Sequence, residues 1–576
     1  MSRLFIDQLQ RLCRAHPTRA KWVFVSSHAA GRTIGDRLVL EGLDWANLRF
    51  VTPLDVALRM GAPFLVERGV NPSEEGLGPA LVMRLLLQLP AGTSYFRPLA
   101  DQPQMAMALW STLRELRMAG VRAVDLSADA FASADKHAEL QALLASYEEF
   151  LAKESRGDRA TVFEEALARV QWCPIHPQDC WTEYSGVVWT PLERRLIDAM
   201  SGERMPPAMV EVAGVTVPRR LVGAVGQKEP PASGSVTTNA PGPVSTDVHL
   251  FHGGGLEAEV EEVFRRILAS GASLDTAEIA CASDRYATLI WEKAVRYHWP
   301  VTLATGIPAT LTRPGRALLG LAEWIEDDFA AGRMRRLLQS GDVILPDSTG
   351  ISSGRAARLL VKARAAWGRQ TYARALGRFA TRAETRATHD DIPADERDRL
   401  LASAREAHAL SAWLATLIDA VPELDVDGQV ALGDLVRCAE RFVAETAAKT
   451  SALDHGAATR LVRAIGELRA LGDFRCTIGQ ALRFIRERVD SLSVGADRPR
   501  PGHLHVSTLR EFGLAGRAHL FVVGLEEGRV FPAAFEDPIL LDAERATIHP
   551  GLRRSTDAVD EAVYTVIGSL TSVIGA

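Results

Sequence analysis

Near the amino terminus, Ser26-Ser27-His28-Ala29-Ala30-Gly31-Arg32-Thr33 follows a short apolar run, Trp22–Val25, and precedes a helical pattern. A strand, a loop of small residues and a helix, in that order, form the setting of the phosphate-binding pattern GxxxxGK[ST]. That chemistry uses glycines whose backbone N–H groups curl around phosphates, a lysine that reaches the β and γ phosphates, and a hydroxyl for Mg²⁺. Gly31 and Thr33 stand in register with the pattern, whereas Ser26 replaces its first glycine and Arg32 its lysine. A guanidinium keeps the charge but presents a wide planar fork where a compact ammonium is needed. The chain has seven lysines (Lys21, Lys136, Lys153, Lys228, Lys293, Lys362, Lys449), none of them after a glycine, so no intact phosphate loop lies elsewhere.

Nucleotide hydrolysis also needs a carboxylate at a strand end to hold the metal and position water. The candidate strand reads Val187-Val188-Trp189-Thr190-Pro191-Leu192-Glu193, with Trp189 and Thr190 where acids belong and Glu193 placed to cap the next helix. A working ATPase is therefore not expected, and neither ATP nor Mg²⁺ is a required cofactor. A different chemistry has its own signature in Gly350-Ile351-Ser352-Ser353-Gly354, a GxSxG with Ser352 as nucleophile, and in His252-Gly253-Gly254-Gly255, an oxyanion-type HGGG. The α/β-hydrolase elbow requires a strand running straight into the serine. Leu345-Pro346-Asp347-Ser348-Thr349 reads as a loop instead, which makes the serine esterase the alternative reading.

The chain's 576 residues exceed one core and imply roughly three to five folding units to position these residues. The formal net charge of −6 carries no global nucleic-acid signature, so DNA binding would depend on local patches. Arg316, Arg333, Arg335, Arg336, Arg355 and Arg358 form one such candidate patch for phosphates. Six scattered cysteines without a CxxC indicate neither zinc nor a disulfide framework. His249, His252, His503 and His505 read as packed or surface residues, not metal ligands. No stretch approaches the ~20 apolar residues of a membrane span, and the expected compartment is the cytoplasm.

The patterning predicts strands at 22–25, 48–51, 185–189, 248–252, 278–283, 300–304, 503–508 and 520–525. Helical periodicity fills roughly 76–170 and 315–490. Residues 213–246 lose periodicity and gain Gly, Pro, Ser and Thr, the composition of a linker. Two α/β regions, each interrupted by a mostly helical insertion, are the expected architecture.

The strongest family signal lies near the carboxyl end. Val506-Ser507-Thr508-Leu509, Leu520-Phe521-Val522-Val523-Gly524-Leu525-Glu526-Glu527-Gly528-Arg529 and Phe531-Pro532 resemble UvrD/Rep-type helicases and their AddB relatives. Asp537-Pro538-Ile539-Leu540-Leu541-Asp542-Ala543-Glu544-Arg545 is similar to the D-P-L-L-x-x-x-E-R run that follows in AddB-like chains. Ile279-Ala280-Cys281 with Asp284-Arg285-Tyr286, then His298-Trp299-Pro300-Val301, resemble the start of the second motor domain. The resemblance implies two RecA-like domains with parallel sheets. The first comprises 1–75 and 171–230 around an insertion at 76–170. After a linker at 231–246, the second comprises 247–315 and 491–576 around an insertion at 316–490.

It further implies a non-motor subunit of a helicase–nuclease complex in double-strand-break repair, paired with an AddA-type helicase–nuclease and contacting DNA, single-stranded in that setting. Vestigial nucleotide contacts would be Ser26, Gly31, Arg32, Thr33 and Arg285. DNA contacts would be Arg316, Arg333, Arg335, Arg336 and Arg510. Departures point away from an active helicase: Arg510-Glu511-Phe512-Gly513 replaces H-S-x-K-G, and no arginine finger follows Glu561–Ile567. A weakly active helicase or ATPase is the remaining enzymatic alternative within the family. The family's PD-(D/E)xK nuclease is expected to be missing, because no lysine has an acid two positions before it.

Overall fold

The computed structural model describes residues 2–72, 78–90, 94–100, 102–184, 187–206, 248–526, 530–531 and 535–574. The linker expected at 231–246 lies outside the described residues, as do 207–230 of the first α/β region. The chain divides into two compact units, Met1–Thr305 with Ala496–Ala576, and Gly306–Gly495.

The first unit is α/β and contains two four-stranded parallel sheets. Their strands are numbered β1 (Lys21–Phe24), β2 (Leu48–Val51), β3 (Cys180–Glu183), β4 (Glu203–Arg204), β5 (Ala277–Cys281), β6 (Val301–Leu303), β7 (Leu504–Thr508) and β8 (His519–Val523). The first sheet has the order β2-β1-β3-β4. Alternate side chains of β1 enter different cores, as a pleated strand buried on both faces requires. Trp22 and Phe24 join Val56, Met60, Phe163 and Leu196, while Val23 and Val25 join Phe5, Ile6, Leu9 and Leu38. The amino-terminal helix Ser2–Ala15 supplies Phe5, Ile6, Leu9 and Leu12 from one face, consistent with its amphipathic sequence.

The second sheet has the order β8-β5-β7-β6, and every residue of β5 is buried. In both sheets, neighbouring central strands send their connections in opposite directions. From β1 the chain runs to β2 while β3 runs to β4, and β5 runs to β6 while β7 runs to β8. In open parallel sheets such a switch point opens a crevice outside the carboxyl ends of the strands, the usual place for a ligand.

The second unit is mostly helical, from Arg313–Glu326 to Ile478–Asp490, with two short antiparallel pairs. Trp324 is fully buried in it, donating from Nε1 to the Tyr372 hydroxyl at 2.9 Å, which in turn donates to the Phe329 carbonyl at 2.7 Å.

Two expected strands are corrected. Val248–His252 pairs with no strand among the described residues, and Leu250 is 93% exposed. The strand expected at 185–189 lies at Cys180–Glu183, and Val187–Trp189 is irregular. Among the described residues, no helix is long and apolar enough to cross a membrane.

Candidate functional site

The first crevice lies beyond β1 and β3. Its local structure follows from Ser27, whose hydroxyl accepts from the Ala30 N–H at 3.1 Å and starts the helix His28–Leu40. Only Val25, Ser26 and Ser27 therefore separate strand from helix, and positions 28–33 are helical turns instead of a loop that could encircle a phosphate. Gly31 serves packing: a Cβ there would stand 2.6 Å from the Phe50 Cβ. The Thr33 hydroxyl donates to the Ala29 carbonyl at 3.0 Å within its own helix. Ser26 and Arg32 are exposed. Arg285 lies on the helix Asp284–Arg296 and lines an open groove with Gly254, Leu256 and Glu257. The five residues expected to touch nucleotide thus form no cradle.

A strand-end carboxylate, which the sequence reading placed at positions held by Trp189 and Thr190, is present after all. It is Glu183, last residue of β3 and opposite Phe24 of β1. Its oxygens are occupied: Arg194 Nη1 lies at 2.6 Å and the Trp189 Nε1 at 2.8 Å from Oε2, and Arg204 Nη2 at 2.7 Å from Oε1. Two guanidiniums and an indole N–H take three of the roughly four acceptor sites of this carboxylate, and the two positive charges beside it disfavour a metal cation. Glu193 caps the helix Pro191–Asp198, exchanging hydrogen bonds with Thr190 as the sequence indicated.

The mouth of this crevice is filled. Leu514, 1% exposed, packs into the same apolar cluster as Val23, Val25, Ile34 and Tyr184. Between the first turns of the His28–Leu40 helix and the β6–β7 edge, about 10 Å³ remains, close to the space of one water. The plugging segment is tied down from several sides. The Tyr184 hydroxyl donates to the Arg510 carbonyl at 3.4 Å, Arg37 donates to the Gly513 carbonyl, and Gly513 N–H donates to Glu278 at 3.2 Å. Gly513 has φ +73°, a left-handed turn that glycine adopts without strain.

Glu278 is the unusual member. It is fully buried on β5, accepts from the Ser507 hydroxyl at 2.6 Å, and its Oε2 has no hydrogen-bond partner. Burial pushes its carboxyl up to about 7, against the downward pull of Ser507 and the Gly513 N–H. The folded chain therefore holds a proton that the unfolded chain releases near 4.5. Stability contributed by this group is present at low pH and lost as pH rises toward 7. Glu278→Gln is expected to gain about 3 kcal/mol relative to the parent between pH 4 and pH 8, read from urea unfolding at both values. An equal difference at both would mean that burial leaves the carboxyl at its ordinary value in the folded chain. His505, on the neighbouring strand, is also buried; burial and nearby Arg517 push its imidazole down to about 4, and Thr302 Oγ1 lies 3.0 Å from Nδ1.

The second crevice is open. About 320 Å³ lies at the carboxyl ends of β5 and β7, lined among others by Ser283, Asp284, Thr305, Thr508 and Arg510. Arg510 is exposed. Of the other arginines expected to meet DNA, Arg316 is paired to Asp342 at 2.7 Å, and Arg333 to Glu323 and Asp327, each at 2.5 Å. Arg355 is paired to Glu406 at 2.8 Å. Each of these charges therefore already has an acidic partner within the protein. Arg335, Arg336 and Arg358 are exposed.

The hydrolase reading fails on geometry. Ser352 is the amino-terminal cap of the helix Ser353–Lys362, its hydroxyl accepting from the Arg355 N–H at 3.3 Å. A short 3-10 turn, Asp347–Thr349, precedes it where an elbow needs a strand. The HGGG residues belong to the other unit. Among the described residues, no group of three or more His, Cys, Asp or Glu side chains is placed to hold a metal.

The tail run also acquires a physical role. Arg545, 7% exposed at its side chain, reaches Glu115 at 2.6 Å and Asp537 at 2.9 Å. Glu544 pairs with Lys136 at 2.6 Å. Glu544 and Arg545 thereby dock the helix Asp542–Ile548 on the helical segment that carries Glu115 and Lys136, while Asp537 holds Arg545 within the tail run. No protein-family model matches the chain, and no curated protein matches it.

Proposed function

We propose that this chain is a helicase-like, non-motor DNA-binding subunit: two RecA-like domains that brace an AddA-type helicase–nuclease on DNA in double-strand-break repair. Support comes from the AddB-like residues of β7, β8 and the Asp537–Arg545 run, and from two parallel sheets with helical insertions. The observation that carries the non-motor part is the plugged first crevice. A nucleotide-driven motor must admit phosphates and metal beside the strand ends. Leu514 and Tyr184 fill that place here, and Glu183 is engaged by Arg194 and Arg204. The second crevice, with Thr508 and Arg510, remains open to a strand backbone.

Purified chain titrated with labelled single-stranded and duplex DNA, and assayed for ATP turnover, tests the reading. The expected result is salt-sensitive binding of single strands and no Mg²⁺-dependent turnover. Brisk hydrolysis lost in Arg32→Ala would overturn the non-motor assignment. Absence of DNA binding at low salt would overturn the rest.

A further inference from the structure

In the helix Thr371–Ala387, arginine returns at every fourth position: Arg374, Arg378, Arg382 and Arg386. Steps of four residues rise about 6 Å and place side chains in one slowly winding row. All four arginines are exposed. They lie opposite Leu376, Ala380, Ala383 and Ala387, the buried face, on a helix that packs against Ala394–Asp419. Gly377 and Thr381 line the open groove beside them, and a Cβ on Gly377 would meet nothing within 4 Å. An extended chain can thus approach the helix backbone along the row.

The charge on this row is poorly matched within the protein, in contrast to several other arginines of the unit. Arg316, Arg333, Arg355, Arg437 and Arg475 each sit on an acid. On the ridge, among the described residues, Arg386 alone has an ion pair, to half-buried Glu396 at 3.5 Å. Arg378 donates only to the Arg374 carbonyl. The side chains of Arg374 and Arg382 make no hydrogen bond or ion pair among the described residues. The flanking acid, Glu384, pairs with His408 at 3.2 Å. Like charges at i,i+4 cost an isolated helix a few tenths of a kcal/mol each. A helix that repeats this arrangement without internal compensation is suited to an external polyanion.

We infer that the Arg374–Arg378–Arg382–Arg386 ridge is a contact surface for the sugar–phosphate backbone of a single nucleic-acid strand. This deepens, and rests on, the DNA-binding reading above. A row one arginine wide follows one backbone. No Phe, Tyr or Trp lines the groove to stack on bases, so the contact is independent of base sequence.

The test is fluorescence anisotropy of a labelled oligothymidylate of about 20 nucleotides against the full chain, between roughly 50 and 200 mM NaCl. R374Q/R378Q/R382Q/R386Q is expected to bind at least about tenfold more weakly at the lower salt. Its salt slope should be shallower by about 3, four lost single-strand contacts. Arginine-to-lysine changes at the same four positions keep the charge and should keep most of the slope. The control R399Q/R437Q, which removes two exposed arginines that already pair with acids, should leave both quantities near the parent's. Circular dichroism verifies that each variant is folded. If the parent binds and the glutamine variant matches it in affinity and slope, the ridge assignment fails while the DNA-binding reading stands. If the parent binds no strand, both fail. If polyglutamate binds the ridge and oligothymidylate does not displace it, the surface receives an acidic protein segment and the proposal is overturned.

Discussion

Lys136→Met is expected to destabilise the protein by about 3–5 kcal/mol, the cost of stranding a buried charge. Lys136 and Glu544 each expose only 3% of their side chains and meet at 2.6 Å. Glu544 also accepts from the Ala132 N–H at 3.1 Å and the Leu541 N–H at 2.9 Å. Burial pushes the Glu544 carboxyl up, but Lys136 and these N–H groups more than offset it and hold it below the ordinary value. A depressed carboxyl adds stability above its unfolded pKa and loses it as pH falls through the folded one. In Lys136→Met the pull is gone, so the lost stability should be largest at neutral pH and shrink in acid, where the carboxyl takes a proton. Replacing both partners, K136M/E544L, removes the stranded charge and should recover most of the loss. Urea unfolding of the three proteins at neutral pH measures this. A single variant within about 1 kcal/mol of the parent would show that the pair is not desolvated as described.

Glu183→Ala should cost about 2–4 kcal/mol, because it removes the buried carboxylate between Arg194 and Arg204 and leaves them to share Asp198, at 2.7 and 3.7 Å. The carboxylate is 4% exposed, and Arg194 and Arg204 are 12% and 22% exposed. Glu183→Gln keeps the shape and can still accept from Trp189, so a smaller loss is expected. Thermal unfolding followed by tryptophan fluorescence measures both. The same experiment separates an internal ion pair from a metal seat. Mg²⁺ should leave the melting temperature of the parent unchanged. A Mg²⁺-dependent rise in the parent that disappears in Glu183→Gln would falsify the ion-pair assignment.

Much of the local structure was legible because it depends on neighbours in sequence. Thr190 and Glu193 spell a cap three residues apart, and the caps form as written. The amphipathic period of Ser2–Ala15 sets which face is buried. The short apolar runs at 48–51, 278–283 and 503–508 became strands within a residue or two. The run at 185–189 misled for a definite reason. It is the more β-like sequence, but Cys180–Glu183 is the segment that pairs in register with β1, and Glu183 is tolerated at the strand end only because Arg194 and Arg204 arrive to neutralise it.

By itself the amino-acid sequence determined the α/β character, the paired strand-and-helix regions and the loss of the phosphate-loop lysine, since these follow from residue type and period. Tertiary structure alone decided three things. Leu514 reaches the first crevice from far along the chain, Glu278 is sealed beneath it, and Arg316 and Arg333 lie on acids while Arg374 and Arg382 do not. The physical reason is common to all three. Burial and charge neutralisation depend on which distant groups pack together, and a one-dimensional pattern records spacing along the chain, not the partner across it.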